Sequence, residues 1–178
     1  MTDNRSPHSL SPSDAAFRET VIAEMRSVFG PDTRRIHHAL GVLEAAQRLL
    51  AQLGGDARVV LAAAILHDIG ITTAERVHGS SAAKFQELEG PPIARAILEK
   101  LRLDGARIEH VCDIVANHHC AQGRDTVEFR ILWDADMIIN LMPEAPVQGA
   151  ALEKLLGAHF RTLPGRALAA ERFAGGSA

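Results

Sequence analysis

Val59, Val60, Leu61, Ala62, Ala63, Ala64, Ile65 and Leu66 form an unbroken apolar run that leads straight into His67-Asp68-Ile69-Gly70. With Asp56 placed to cap it, the run reads as a helix that is apolar on nearly every face. Such a helix belongs at the centre of a bundle. His67 and Asp68 then stand at the end of a segment built for burial, which is costly for polar groups unless something satisfies them. Imidazole and carboxylate together suit a divalent transition metal. A helix end carrying two chance polar residues would look the same, so the rest of the chain has to decide.

The flanking sequence is helical throughout, with nothing convincing as a strand. Ser11-Pro12-Ser13-Asp14 has the form of an N-cap, with Pro at the first helical position and an acid in the first turn. Phe17, Val21, Met25 and Val28 follow on one face until Gly30-Pro31. Thr33 is placed to cap the next helix, whose stripe of Ile36, Leu40, Leu43 and Leu50 ends near Gly54-Gly55. Residues 70–90 are less regular and read as a loop with room for a short helix. Pro91-Pro92 read as the opening of a helix through Ile93, Ile97 and Leu101. Asp104-Gly105 start another, which ends at His118-His119. Gln122 to Asp125 form a polar turn, and Thr126 caps a helix carrying Phe129, Leu132, Asp136 and Ile139. Two short helices are expected over residues 147–173, broken at Leu163-Pro164-Gly165, with a frayed end beyond. This predicts a single all-α domain over residues 1–178, with its core at about 33–141 and a helical extension at about 147–173.

Composition excludes several classes. The 178 residues are 47% hydrophobic and 23% charged, as expected for one globular domain with a real core. A net charge of -3 carries no sign of a nucleic-acid or anionic-membrane binder. No apolar stretch is expected to reach the roughly 20 residues of a membrane span, and residues 1–12 lack the apolar segment of a signal peptide. Cys112 and Cys120 do not make a disulfide framework, which points to a reducing cytoplasm.

Arg35-Ile36-His37-His38 with Val42, then His67-Asp68, then Asn117-His118-His119, then Ala135-Asp136-Met137-Ile138-Ile139-Asn140, place His, His-Asp, His-His and Asp on successive helices. Their order and spacing resemble the HD-domain superfamily of metal-dependent phosphohydrolases, from about Thr33 to about Leu141. The resemblance implies an HD-type helical bundle with a divalent transition metal (manganese, iron, nickel, cobalt or zinc, with magnesium also allowed), one per chain and with room for two. The family's Arg-x-x-His-x-x-x-Val pattern selects His38 over His37. Its Ala-Asp pattern selects Asp136, which also shares a helix face with Leu132, Ile139 and Asn140. Asp134 points the other way and reads as a supporting or capping residue. The implied ligands are therefore His38, His67, Asp68 and Asp136. His118, His119 and Glu89 are the candidates for a second ion; Glu89 stands where some relatives carry a His-Pro. His78 reads as a ligand or a lid residue, and His110 as an ordinary helix-surface residue.

The function that follows from the resemblance is hydrolysis of a small phosphorylated substrate, a nucleotide above all, by metal-activated water. Asp68 or His118 would accept the proton, and Lys84, Arg95 and Arg124 are the candidate phosphate contacts. There is no Gly-Tyr-Pro string, and Ile71 follows Gly70 where signalling members carry Lys, which disfavours a cyclic-dinucleotide phosphodiesterase. The length leaves no room for the extra domains of a bifunctional alarmone enzyme. Two alternatives stand beside this reading: a di-iron oxygenase of the same superfamily, and a regulatory module that keeps a metal without catalysis. A homo-oligomer is compatible with either.

Overall fold

The computed structural model describes residues 10–120, 125–141, 143 and 147–174. Over these residues the chain is helical, with no strand: α1 Pro12–Phe29, α2 Thr33–Leu53, α3 Ala57–Leu66, α4 Ile71–His78, α5 Ala83–Lys100, α6 Gly105–Val115, α7 Val127–Asn140, α8 Gly149–His159 and α9 Leu163–Ala174. The polar turn expected at Gln122 to Asp125, apart from Asp125 itself, lies outside the described residues, as do residues 1–9 and the end beyond Ala174.

Short polar side chains start the helices by accepting the amide hydrogens that have no partner inside a first turn. Ser11 Oγ accepts the Asp14 amide at 3.1 Å, Asp104 Oδ1 that of Arg107 at 3.1 Å, and Thr126 Oγ1 that of Phe129 at 3.2 Å. Asp56 Oδ1 accepts two amides at the head of α3, from Arg58 at 3.0 Å and Val59 at 3.3 Å. The cap of α2 is one residue earlier than the sequence suggested. Asp32, not Thr33, receives the Arg35 amide at 3.1 Å, because an anionic oxygen is the stronger acceptor for the positive end of the helix.

The apolar run does what its pattern demands. Every residue from 59 to 66 is buried, and α3 packs against α1, α2, α6 and α7. Each fully buried Val, Leu or Ile contributes roughly 1.5–3 kcal/mol relative to exposure, so this helix anchors the others. The run Ala57–His78 is also long and apolar enough to cross a membrane by length and composition, contrary to the expectation that no stretch comes near. Of its apolar window, 67% is buried inside the bundle, so packing on other helices accounts for its apolarity.

Two regions depart from the sequence reading. The stretch expected to be mostly loop is mostly helix: α4 closes at Gly79, in the left-handed conformation at φ 64°, and α5 begins at Ala83. Pro91 and Pro92 therefore lie inside α5 instead of opening it. Proline cannot donate to the carbonyl four residues back, so a helix interior containing two is intrinsically poor. Tertiary packing overrides that preference here. The backbones of α5 and of the turn after His67-Asp68 meet so closely that a Cβ on Gly70 would lie 2.5 Å from both Gln86 O and Gly90 N. A Cβ on Gly90 would lie 2.7 Å from Val115 Cγ1 on α6.

The second departure is at the C-terminal end. Leu163, Pro164 and Gly165 form the first turn of α9, and the break falls at residues 160–162. There Thr162 Oγ1 accepts the Gly165 amide at 2.9 Å, the geometry of an N-cap. α9 packs on α7, α2 and α8, so the extension is part of the same bundle.

Candidate metal centre

Four elements meet at one end of α3. His38 comes from the second turn of α2, His67 from the end of α3, Asp68 from the turn that follows, and Asp136 from α7. His38 Nε2 lies 3.1 Å from His67 Nε2, 3.2 Å from Asp136 Oδ1 and 3.6 Å from Asp68 Oδ2. His67 Nε2 lies 3.5 Å from Asp68 Oδ2 and 3.6 Å from Asp136 Oδ1. Ligands about 2.1 Å from a common ion stand about 3.0 Å apart at octahedral edges and about 3.4 Å apart at tetrahedral ones. The observed separations are of that size.

Hydrogen bonding fixes which ring atoms face the centre. His67 Nδ1 donates to Ala64 O at 3.0 Å, and His118 Nδ1 to Val115 O at 2.8 Å. A carbonyl can only accept, so each imidazole carries its proton on Nδ1 and presents the Nε2 lone pair inward, as metal-binding histidines do. His67 Nε2, an acceptor, faces His38 Nε2 at 3.1 Å, and the two nitrogens satisfy each other only through a proton or a cation between them. Asn140 Nδ2 donates to Asp136 Oδ1 at 2.8 Å and orients that carboxylate. His118 Nε2 is buried without a hydrogen-bond partner and lies 3.5 Å from Asp68 Oδ1. An orphaned imidazole nitrogen beside a shared carboxylate fits a metal site.

The electrostatics point the same way. Burial pushes Asp68 towards the neutral form, but His67 and the nearby His118 hold it well below the usual carboxylate range. Asp136 is lowered too: burial opposes, and the His38 hydrogen bond and the His67 charge prevail. The hydrogen bond to Asp136 raises His38 against burial. His118 is raised by Asp68 although its own burial opposes it. The carboxylates keep their charge, and ionised carboxylates set against imidazole nitrogens suit a divalent cation.

Asp68, His118 and His119 form a second set, with ligand atoms within 4.8 Å of one another. His119 is lowered by burial and by the neighbouring His118. Glu89, the sequence candidate for this place, belongs to neither set. It pairs with His78 Nε2 at 2.8 Å, and that ring stacks on Phe85 with centroids 4.3 Å apart. Glu87 stands closer instead, accepting the His119 amide at 3.1 Å and lying 3.7 Å from His119 Nδ1. His110 bonds Thr126 Oγ1 at 3.0 Å and so joins α6 to the cap of α7.

The centre opens into a cleft of about 310 Å³ lined by Arg34, Arg35, His38, Asp68, Ile71, His119, Asp136 and Asn140. Two of the proposed phosphate contacts are elsewhere. Arg95 is held by Glu109 through bonds of 2.6 and 2.7 Å, and Lys84 lies over the Phe85 ring at 4.7 Å. Arg124 falls outside the described residues. The cations in the cleft wall are Arg34 and Arg35. The signal for them was their position on α2: Arg34 precedes His38 by four residues, one helical turn. Asp134, buried on the far side of α7, accepts the Arg161 amide at 2.8 Å, the Thr162 amide at 2.9 Å and the Thr162 hydroxyl at 2.6 Å. It supports the segment that leads into α9, holding the Thr162 that caps that helix.

The HD domain family model matches residues 35–141 of this chain. The chain belongs to the HD-domain family, a family of metal-dependent hydrolases. It is also similar to the crystal structure of a predicted HD superfamily hydrolase from an uncultured Thermotogales bacterium, at 21% sequence identity and a TM-score of 0.64 over 88% of this chain and 85% of that one. That likeness establishes the shared all-α fold. No curated protein matches the chain.

Proposed function

We propose that this chain is a metal-dependent phosphohydrolase that cleaves a small phosphoester, a nucleotide or another phosphomonoester, by direct attack of water. One observation carries the reading. The Nε2 atoms of His38 and His67 and the carboxylates of Asp68 and Asp136 converge at an open cleft whose lining, among the described residues, includes no Ser, Cys or Lys to serve as a covalent nucleophile. A divalent ion held by these four residues would lower the pKa of water from about 15.7 towards 7 and withdraw charge from the phosphoryl group.

The residues around that centre have separable roles. Asn140 fixes Asp136. Val115 O fixes His118, so that its Nε2 and Asp68 Oδ1 can share a proton taken from water. Arg35 is pinned by Asp32 and Glu75 and places a fixed cation in the wall where phosphoryl oxygens arrive. In oxygen-18 water, a single turnover should put the label in the released phosphate, with no phosphorylated side chain trapped. The activity should vanish on chelation and return with manganese, cobalt or nickel. A trapped phosphoenzyme would overturn direct attack by water.

The second set at Asp68, His118 and His119 supports one other reading, a di-iron oxygenase. Iron retained after aerobic purification, with oxygen consumed in proportion to product, would favour it over hydrolysis.

A further inference from the structure

Arg34 and Arg35 stand side by side at the head of α2, and they are not equivalent. Arg35 is clamped, with one terminal nitrogen 3.0 Å from Asp32 Oδ2 and the other 2.6 Å from Glu75 Oε1. Those two carboxylates already offset its charge. Arg34 is exposed, and no carboxylate pairs with it among the described residues. It lines the same cleft as His38, Asp68 and Asp136, and its charge acts on the His38 imidazole. One helical turn is about 5.4 Å, so an anion held by Arg34 would sit only a few bonds from a phosphoryl group at the centre.

The cleft is small and polar. About 310 Å³ is near the lower end of the range of about 300–1,000 Å³ found for small-molecule sites. Among the described residues Ile71 is the one aliphatic lining group, and no Phe or Trp lines the cleft. The planar groups left for a nucleobase to stack on are the His38 and His119 rings, which belong to the two ligand sets, and the guanidinium planes of Arg34 and Arg35, of which Arg35 is clamped. A guanidinium at the mouth with no carboxylate partner among the described residues favours a second negative charge.

We propose that the substrate is a compact phosphomonoester carrying a second anionic group, and that Arg34 selects for that group. This rests on the phosphohydrolase reading and narrows it. A matched pair of non-hydrolysable ligands tests it: 3-phosphonopropionate and propylphosphonate, which differ by one carboxylate, titrated calorimetrically into the manganese-loaded full chain. The wild type should bind the carboxylate-bearing ligand at least about tenfold more tightly, as expected for a bond to a charged group. In Arg34→Ala the ratio should fall to near unity, and Arg34→Lys should restore part of it. A wild type with no preference, or an Arg34→Ala protein that keeps it, overturns the assignment while leaving hydrolysis intact. If the loaded protein binds neither phosphonate and hydrolyses no phosphomonoester, the phosphohydrolase reading fails and takes this proposal with it.

Discussion

Asp134 and Asp136 lie two residues apart on α7, and both are buried, at 0% and 7% exposure. They face opposite sides of the helix and into opposite chemistries. Asp134 is surrounded by donors that have already reached it: two amides and a hydroxyl at the head of α9. Asp136 faces the Nε2 atoms of His38 and His67, which are themselves candidate ligand atoms. Burial raises the proton affinity of both. At Asp134 the amide and hydroxyl donors only partly offset it, and the group stays above the usual carboxylate range. At Asp136 the His38 hydrogen bond and the His67 charge reverse it. A buried carboxylate whose partners are all donors is a structural latch; one whose partners are other ligand atoms is a place for a cation.

The largest expected effect breaks the comparison on the Asp136 side. Asp136→Ala should abolish stoichiometric metal binding and lower any hydrolytic activity by well over the roughly 10–100-fold that loss of an outer partner costs, measured by elemental analysis and turnover on the same preparation. If Asp134→Ala lost the metal and Asp136→Ala kept it, the two roles would be exchanged.

Next in size is the latch. Asp134→Ala leaves three donors, two of them buried, without an acceptor and should destabilise the fold by about 2–4 kcal/mol. Chemical denaturation of the apoprotein should show this, with metal content close to wild type. Gly165→Ala sharpens the point without substituting either aspartate. A Cβ there collides with the Asp134 carboxylate, so overpacking should cost about 1–3 kcal/mol. A wild-type melting temperature would mean that α9 can shift away.

The smallest effect is in the titration of the apoprotein. Asp134 has a raised pKa in the folded state, so its favourable contribution is complete below the unfolded carboxylate value of about 3.9 and is lost as pH rises through its folded pKa. Asp136 has a lowered one; its contribution is present above that value and lost as pH falls through its folded pKa. Carboxyl carbon-13 shifts should therefore move above the usual range for Asp134 and below it for Asp136. Coincident titrations would erase the electrostatic contrast.

Much of this was legible in the sequence. Helix geometry alone sent Asp134 and Asp136 to opposite faces, and the apolar run of residues 59–66 predicted a central helix, because both signals are local. What escaped was tertiary. Pro91 and Pro92 hid the first half of α5, whose cost in lost hydrogen bonds is met by the close approach of Gly70 and Gly90, a contact with no local signature. With that half read as loop, Glu87 had no face to be assigned to, while Glu89 was chosen for standing where some relatives carry a His-Pro. Lys84 and Arg95 were chosen for their nearness in sequence to the proposed site, yet each is occupied by its own neighbour, while Arg34 reaches the cleft from α2.

The four candidate ligands come from α2, the end of α3 with the turn after it, and α7, with His38 and Asp136 towards opposite ends of the matched family region. Joining them through one ion closes a long chain loop, and the entropy of closing a loop grows only slowly with its length. Such a closure tightens late, once all the helices are docked. Loading should therefore prolong the lifetime of the folded chain by slowing its unfolding, with little effect on how fast it folds.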